Sequence, residues 1–149
     1  MNNNLNYKIR NPENDIEFSE YFKLRWKILR KPLGKSIESI KDEFENDSFH
    51  LIAIMPDKRI IGVGRLHYAG QNSCQIRYMA VDDKFRGNGI GQSILLELIK
   101  EGLKNNVENI FLHAREEALE FYGKNKFKIV KKSHLLFNKI QHYYMEFIF

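Results

Sequence analysis

Two rhythms of apolar and polar positions run along this chain. From Phe49 to Val81 three runs rich in Ile, Val, Leu and aromatic residues, 49–55, 60–69 and 74–81, are separated by the turn-forming stretches "PDKR" and "GQNS". That pattern predicts a three-strand antiparallel meander. Gly62 and Gly64 interrupt its middle strand, which predicts a bulge or a close backbone approach there. From Ile90 the rhythm changes. Ile90, Ile94, Leu95, Leu98, Ile99 and Leu103 fall at helical spacing until Asn105 and Asn106 close the segment. "NIFLHA" then reads as a buried strand and "REEALEFYGKNK" as a short helix with acids first and lysines last. "FKIVKK" and "YYMEFIF" read as the last two strands, joined by a connection from Ser133 to Gln141.

The first third is helical. "NYKIR" predicts a short first strand. Pro12 opens a helix with Asp15 and Glu17 in its first turns and Phe18, Phe22, Leu24, Trp26 and Leu29 on its apolar side, ending near Pro32 and Gly34. Ile37, Ile40 and Phe44 predict a second, shorter helix over 36–46. The order is mixed α/β. The strand–helix–strand unit around residue 90 implies a local parallel pair with a crossover.

Composition narrows the class. The 149 residues suit one domain over 1–149, and 43% hydrophobic with 29% charged residues describes an ordinary globular chain. No apolar run reaches the roughly 20 residues of a membrane helix. The polar start "MNNNLNYKIR" lacks an apolar signal segment, so a cytoplasmic protein with no membrane partner is expected. The single cysteine, Cys74, can form neither an internal disulfide nor a metal cluster alone, and its place in an alternating strand marks a core residue. The formal charge of +5 suits an anionic partner. The lysines are dispersed and no block of five like charges occurs, so nucleic acid is not the expected one.

The chemistry concentrates in "KFRGNGIGQS", residues 84–93. A strand that ends in a glycine-rich turn and feeds a helix exposes the unpaired amides of the first helical turn, and the helix dipole adds about half a positive charge. Glycines let the backbone approach phosphate oxygens closely, and Arg86 adds a cationic fork. A pyrophosphate-like group is the expected ligand; a tight turn without ligand is the plain alternative. The P-loop pattern requires Lys-Ser/Thr after the glycines, where this chain has Gln92-Ser93. The dinucleotide pattern requires Gly-x-Gly-x-x-Gly and an acid after the next strand, and neither is present.

Arg86-Gly87-Asn88-Gly89-Ile90-Gly91 resembles the Arg/Gln-x-x-Gly-x-Gly/Ala motif of the GNAT superfamily of acetyl-CoA-dependent N-acetyltransferases. "LHAREEALEFYGKNKF" resembles that family's later segment Ala-x-x-Phe-Tyr-x-Lys-x-Gly-Phe. "HYYM" and "LRWKILRKPLG" resemble the last strand and first helix of one bacterial branch. The resemblance implies a GNAT-like fold: a central, mostly antiparallel sheet with a splayed parallel pair, flanked by about four helices. It implies acetyl-CoA as cosubstrate, no metal, an amine acceptor, and a homodimer among the expected assemblies. The pyrophosphate would rest on Arg86, Gly87, Asn88, Gly89, Ile90, Gly91, Gln92 and Ser93, and the pantetheine arm on the backbone of Met79, Ala80 and Val81. Tyr122 would be the general acid for the leaving thiolate. His113, His142 or water would serve as base. Glu116 and Glu117 are explained as first-turn helix acids. Arg25, Arg30 and Lys31 would favour an acceptor with a carboxylate or phosphate, under an apolar lid of Leu135, Leu136 and Phe137. Where the family has Gly before the final Phe, this chain has Lys126, so the helix cap is expected to shift onto Asn125. A catalytically silent acyl-CoA-binding or regulatory module would keep the loop without needing Tyr122.

Overall fold

The computed structural model describes residues 5–149; the Asn-rich opening, residues 1–4 of the polar start, lies outside the described residues. One seven-stranded sheet carries the fold. Its strands, in spatial order, are β1 (Lys8–Arg10), β2 (Phe49–Ile54), β3 (Ile60–Tyr68), β4 (Ser73–Val81), β5 (Asn109–Arg115), β7 (Ile140–Phe147) and β6 (Phe127–Leu136). The predicted meander is β2–β3–β4. β4 and β5 run parallel, while the other neighbours pair antiparallel. The parallel pairing covers only Ser73–Gln75 against Asn109–Phe111, after which the two strands part.

Helices cover both faces. α1 (Asp15–Leu29) starts at Asn14, whose side chain accepts from the Glu17 amide. It packs Tyr21 and Leu24 against Ile52, Ile54, Val63 and Ala80. α2 (Ile90–Lys104) packs Ile90, Ile94, Leu95 and Leu98 on the other face against Leu51, Ala53, Leu66 and Ile76. α3 (Leu119–Lys124) joins that second core through Tyr122. β2 is thus buried on both faces, which is why it reads as an unbroken apolar run.

Gly62 and Gly64 serve close approach. A Cβ at Gly64 would lie 2.7 Å from both Ile94 Cγ2 and Met79 Sδ, and one at Gly62 would lie 2.8 Å from Ile90 Cγ2. α2 sits against bare backbone. The bulge itself lies across from Gly64, in β4: Val63 faces Ala80 and Arg65 faces Arg77, leaving one extra residue on β4. Tyr78 absorbs it with φ +59°. The ring of Tyr78 is held among the guanidinium groups of Arg25, Arg77 and Arg65 at 4.1, 4.5 and 4.9 Å.

Two expectations change. The segment 36–46 is not an α-helix but two 3-10 turns, Ile37–Ile40 and Glu45–Asp47. Asp42 grips Arg65 at 2.6 and 2.9 Å and Arg77 at 2.9 Å, and Glu45 grips Arg25 and Arg65 at 3.0 and 2.7 Å. The same two carboxylates accept from the amides of Phe44 and Asp42. Side chains that bind local amides compete with the helix ladder. The Ser133–Gln141 connection is also shorter than predicted. β6 runs to Leu136 and β7 starts at Ile140, with a tight turn in which Phe137 and Asn138 both take positive φ, 53° and 58°.

Candidate active site

The loop between β4 and α2 takes the shape its glycines permit. Gly87 and Gly89 have φ +80° and +76°, and a Cβ on either would meet no atom within 4 Å. Their backbone therefore borders open space. Gly89 caps α2 with no side-chain hydrogen bond to the first-turn amides, which leaves those donors outward-facing. Arg86 Nε pairs with Asp83 at 3.0 Å, and both side chains are largely exposed, so the pair is weak and exchangeable.

A cavity of about 610 Å³ lies along this loop. Met79, Ala80, Val81, Arg86, Gly87, Gly89, Ile90, Gly91 and Gln92 line it, joined by Tyr122. Two of the expected residues stand outside the lining. The Asn88 amide donates to Phe85 O and Arg86 O at 2.9 and 3.3 Å and so braces the turn. Ser93 Oγ bonds Gly89 O and the Tyr7 hydroxyl, both at 3.0 Å. The lining also includes Ile28 and Leu29 of α1 and Lys124 and Asn125 after Tyr122, which lie within the resembling segments but were not expected as site residues.

Asn125 corrects the expected cap. Its own φ is −108°, and Lys126 takes the left-handed conformation at φ +71°. Asn125 works through its side chain. Nδ2 donates to Phe121 O at 2.8 Å, and Oδ1 accepts from Gln92 Nε2 at 3.0 Å. The end of α3 is thereby tied to the first turn of α2, and Lys126 carries the backbone strain.

Tyr122 is 8% exposed. Its ring packs edge-on to Phe121 and Phe127, 5.0 and 5.9 Å between centroids. No hydrogen bond engages its hydroxyl among the described residues. Burial holds its pKa above the usual phenol value, so the proton stays on.

Where β4 and β5 part, a second cavity of about 250 Å³ opens between them. It shares Leu29, Met79, Arg115, Ala118 and Tyr122 with the first, so the two meet at the tyrosine. His113, His134 and His142 line it; His134 and His142 stack at 4.4 Å, and His113 lies 5.2 Å from His134. All three have lowered pKa values, from burial first. His142 falls to about 4 and is neutral at pH 7. Its Nδ1 lies 3.0 Å from Ile140 O, which assigns the proton to Nδ1 and leaves Nε2 as an acceptor. His113 Nδ1 is buried without a partner. Of the expected lid, only Leu136 lines this cavity. Glu116 accepts from the Tyr143 hydroxyl at 3.1 Å. Cys74 is buried under α2 with its pKa pushed up to about 12, an inert core thiol.

The family model described as acetyltransferase (GNAT) domain matches residues 28–149. The soybean (Glycine max) protein named "Probable acetyltransferase TAP2" is 30% identical over 99 residues, 62% of this chain and 40% of that protein; the match spans less than half of its length. An acyl-CoA N-acyltransferase from Pseudomonas aeruginosa shares the fold, with TM-score 0.79 at 17% identity over 97% of this chain and 99% of that one. So does the PaiA N-acetyltransferase of Thermoplasma acidophilum in complex with coenzyme A, with TM-score 0.76 at 18% identity over 97% of this chain and all of that one.

Proposed function

The chain belongs to the GNAT acetyltransferase family, and on that premise we propose that it transfers the acetyl group of acetyl-CoA to an amine by direct attack on the thioester. The observation that carries this reading is the meeting of two cavities at one protonated tyrosine. The residues present fit the cosubstrate. Gly87 and Gly89 turn bare backbone toward open space, and the uncapped first turn of α2 offers amides and a positive dipole end to a pyrophosphate. Ile90, Gly91 and Gln92 supply those amides, with Arg86 at the mouth. Beyond Gln75, β4 has lost β5 as a neighbour, so the backbone of Met79, Ala80 and Val81 can pair with an extended arm laid beside it.

The acceptor enters the smaller cavity on the far side of Tyr122. The amine must be neutral to attack, and His142 Nε2 is an available proton acceptor there. Tyr122 donates its hydroxyl hydrogen to the sulfur as the carbon–sulfur bond breaks. The desolvation that raises the phenol's pKa acts equally on a thiolate in that place, so the two proton affinities rise together.

The test is calorimetry with acetyl-CoA, followed by thiol release over a panel of primary amines. We expect binding and turnover in the parent chain, and binding lost in Gly89→Val. The valine Cβ would occupy the space beside the loop, and its backbone would resist φ +76°. Unchanged affinity in Gly89→Val would remove the pyrophosphate from this loop.

A further inference from the structure

The smaller cavity has a charge pattern that acetyl transfer does not require. Arg30, Arg77 and Arg115 line it, and no aspartate or glutamate does. Arg77 is answered by Asp42 at 2.9 Å. Arg30 and Arg115 have no carboxylate within 4.0 Å among the described residues. Both instead converge on one oxygen: Arg30 Nη1 donates to Leu29 O at 3.3 Å and Arg115 Nη2 donates to it at 2.8 Å. That oxygen belongs to the last turn of α1, whose dipole offers about half a negative charge against two whole positive ones.

Arg30 is the more demanding of the pair. It is 4% exposed, and its Nε has no partner. Among the described residues, the rings of Phe137 and Tyr78, 5.4 and 5.9 Å away, are the other groups that offset its charge. Burial first, and then the neighbouring Arg115 and Arg77 charges, lower its pKa. A buried cation without a counter-ion is costly, and an incoming anion removes that cost. The same field disfavours an ammonium and favours the neutral amine that the reaction needs. Arg25 and Lys31 take no part: Arg25 is turned inward onto Ile40 O and Glu45, and Lys31 lies over Trp26.

We propose that the acceptor is a small amine bearing a carboxylate or phosphate, and that Arg30 and Arg115 hold that anionic group while the amine faces Tyr122. A volume of about 250 Å³ is at the lower edge of small-molecule sites, which suits a free small amine. This inference rests on the transferase reading above.

The experiment compares matched pairs: α-amino acids against their carboxamides, and phosphoethanolamine against ethanolamine. Thiol release from acetyl-CoA is measured for each, alongside calorimetric titration of protein saturated with coenzyme A, so that the glycine loop is already filled. We expect at least one anionic member to exceed its neutral match about 100-fold in kcat/KM. The two kinds of pair separate carboxylate from phosphate. Arg30→Gln should shrink the ratio tenfold or more, mainly through KM; Arg115→Gln is the second variant if Arg30→Gln does not fold. Equal turnover of charged and neutral members, or a ratio unmoved by either variant, overturns the anion site and leaves the transferase reading standing. If coenzyme binds but no amine is acetylated, the transferase reading falls. Calorimetry then decides the pocket alone: heat from anionic members only supports it, and no heat overturns it.

Discussion

Tyr122→Phe removes one hydroxyl and keeps the ring. The contacts with Phe121 and Phe127 remain, and no hydrogen bond among the described residues is broken. Removing a cavity-lining hydroxyl with no hydrogen-bond partner among the described residues should leave stability within about 1 kcal/mol. For a chain of this length that is a shift of a few degrees at most in Tm. The reaction should suffer far more. A positioned general acid contributes about 10²- to 10⁴-fold, or roughly 2.7–5.5 kcal/mol of barrier. On the proposed acid role, in which the hydroxyl meets the sulfur only as it leaves, coenzyme affinity should be unchanged. Three measurements on one variant separate these effects: thermal melting, calorimetry with coenzyme A, and thiol release at saturating substrates. A kcat within threefold of the parent would refute the acid role of Tyr122. A fall in Tm of more than about 5 °C would show that the hydroxyl has a structural partner. Binding with no turnover in the parent chain, unaltered by the substitution, would mark a silent acyl-CoA-binding module.

Three further outcomes follow from the packing and charge. Gly64→Ala should cost about 1–3 kcal/mol in urea unfolding, because its methyl would lie 2.7 Å from Ile94 and Met79 and α2 would have to lift; an unmoved midpoint would contradict the close approach. Lys126→Gly should stabilise by about 0.5–1 kcal/mol by relieving a left-handed lysine, read as a higher urea midpoint. Glu17 has its pKa lowered from 4.5 to about 2, by the Arg10 hydrogen bonds first and then by the Glu13 amide. Its folded-state value is depressed, so its stabilisation is present above about pH 4.5 and is lost as pH falls toward 2; melting across that window should slope downward, and Glu17→Gln should flatten the slope.

The elements of strong period were legible. The meander, α2 and the β5–α3 segment follow from apolar spacing, because each buries a continuous face. The eight contiguous residues 86–93, which line the large cavity or brace its turn, were legible for another reason, since a glycine-rich strand–helix turn is a property of neighbours along the chain. Segment 36–46 was misread. Its apolar spacing is helical, but Asp42 and Glu45 are tied to arginines on α1 and on β3 and β4. No local pattern reveals partners that lie 20 to 35 positions away. Arg25, expected to favour an anionic acceptor, is instead fully buried and bonded to Ile40 O and Glu45.

By itself, the sequence determined the order of strands and helices outside segment 36–46, the glycine loop at a strand–helix junction, and a tyrosine about 30 positions later. Those are properties of neighbours along the chain. Tertiary structure decided what alternation could not. In a regular strand Cys74, Ile76, Tyr78 and Ala80 would share one face. The extra residue at Tyr78 reverses the phase, so Ala80 packs under α1 while Met79 and Val81 turn to α2's side. β4 and β5 then separate, and the gap between them brings Arg30 from the end of α1, His113 and Arg115 from β5 and His142 from β7 around Tyr122. A bulge costs one residue of register and an uncommon backbone angle, and only the packing of both sheet faces and the arginines around Tyr78 makes that conformation the stable one.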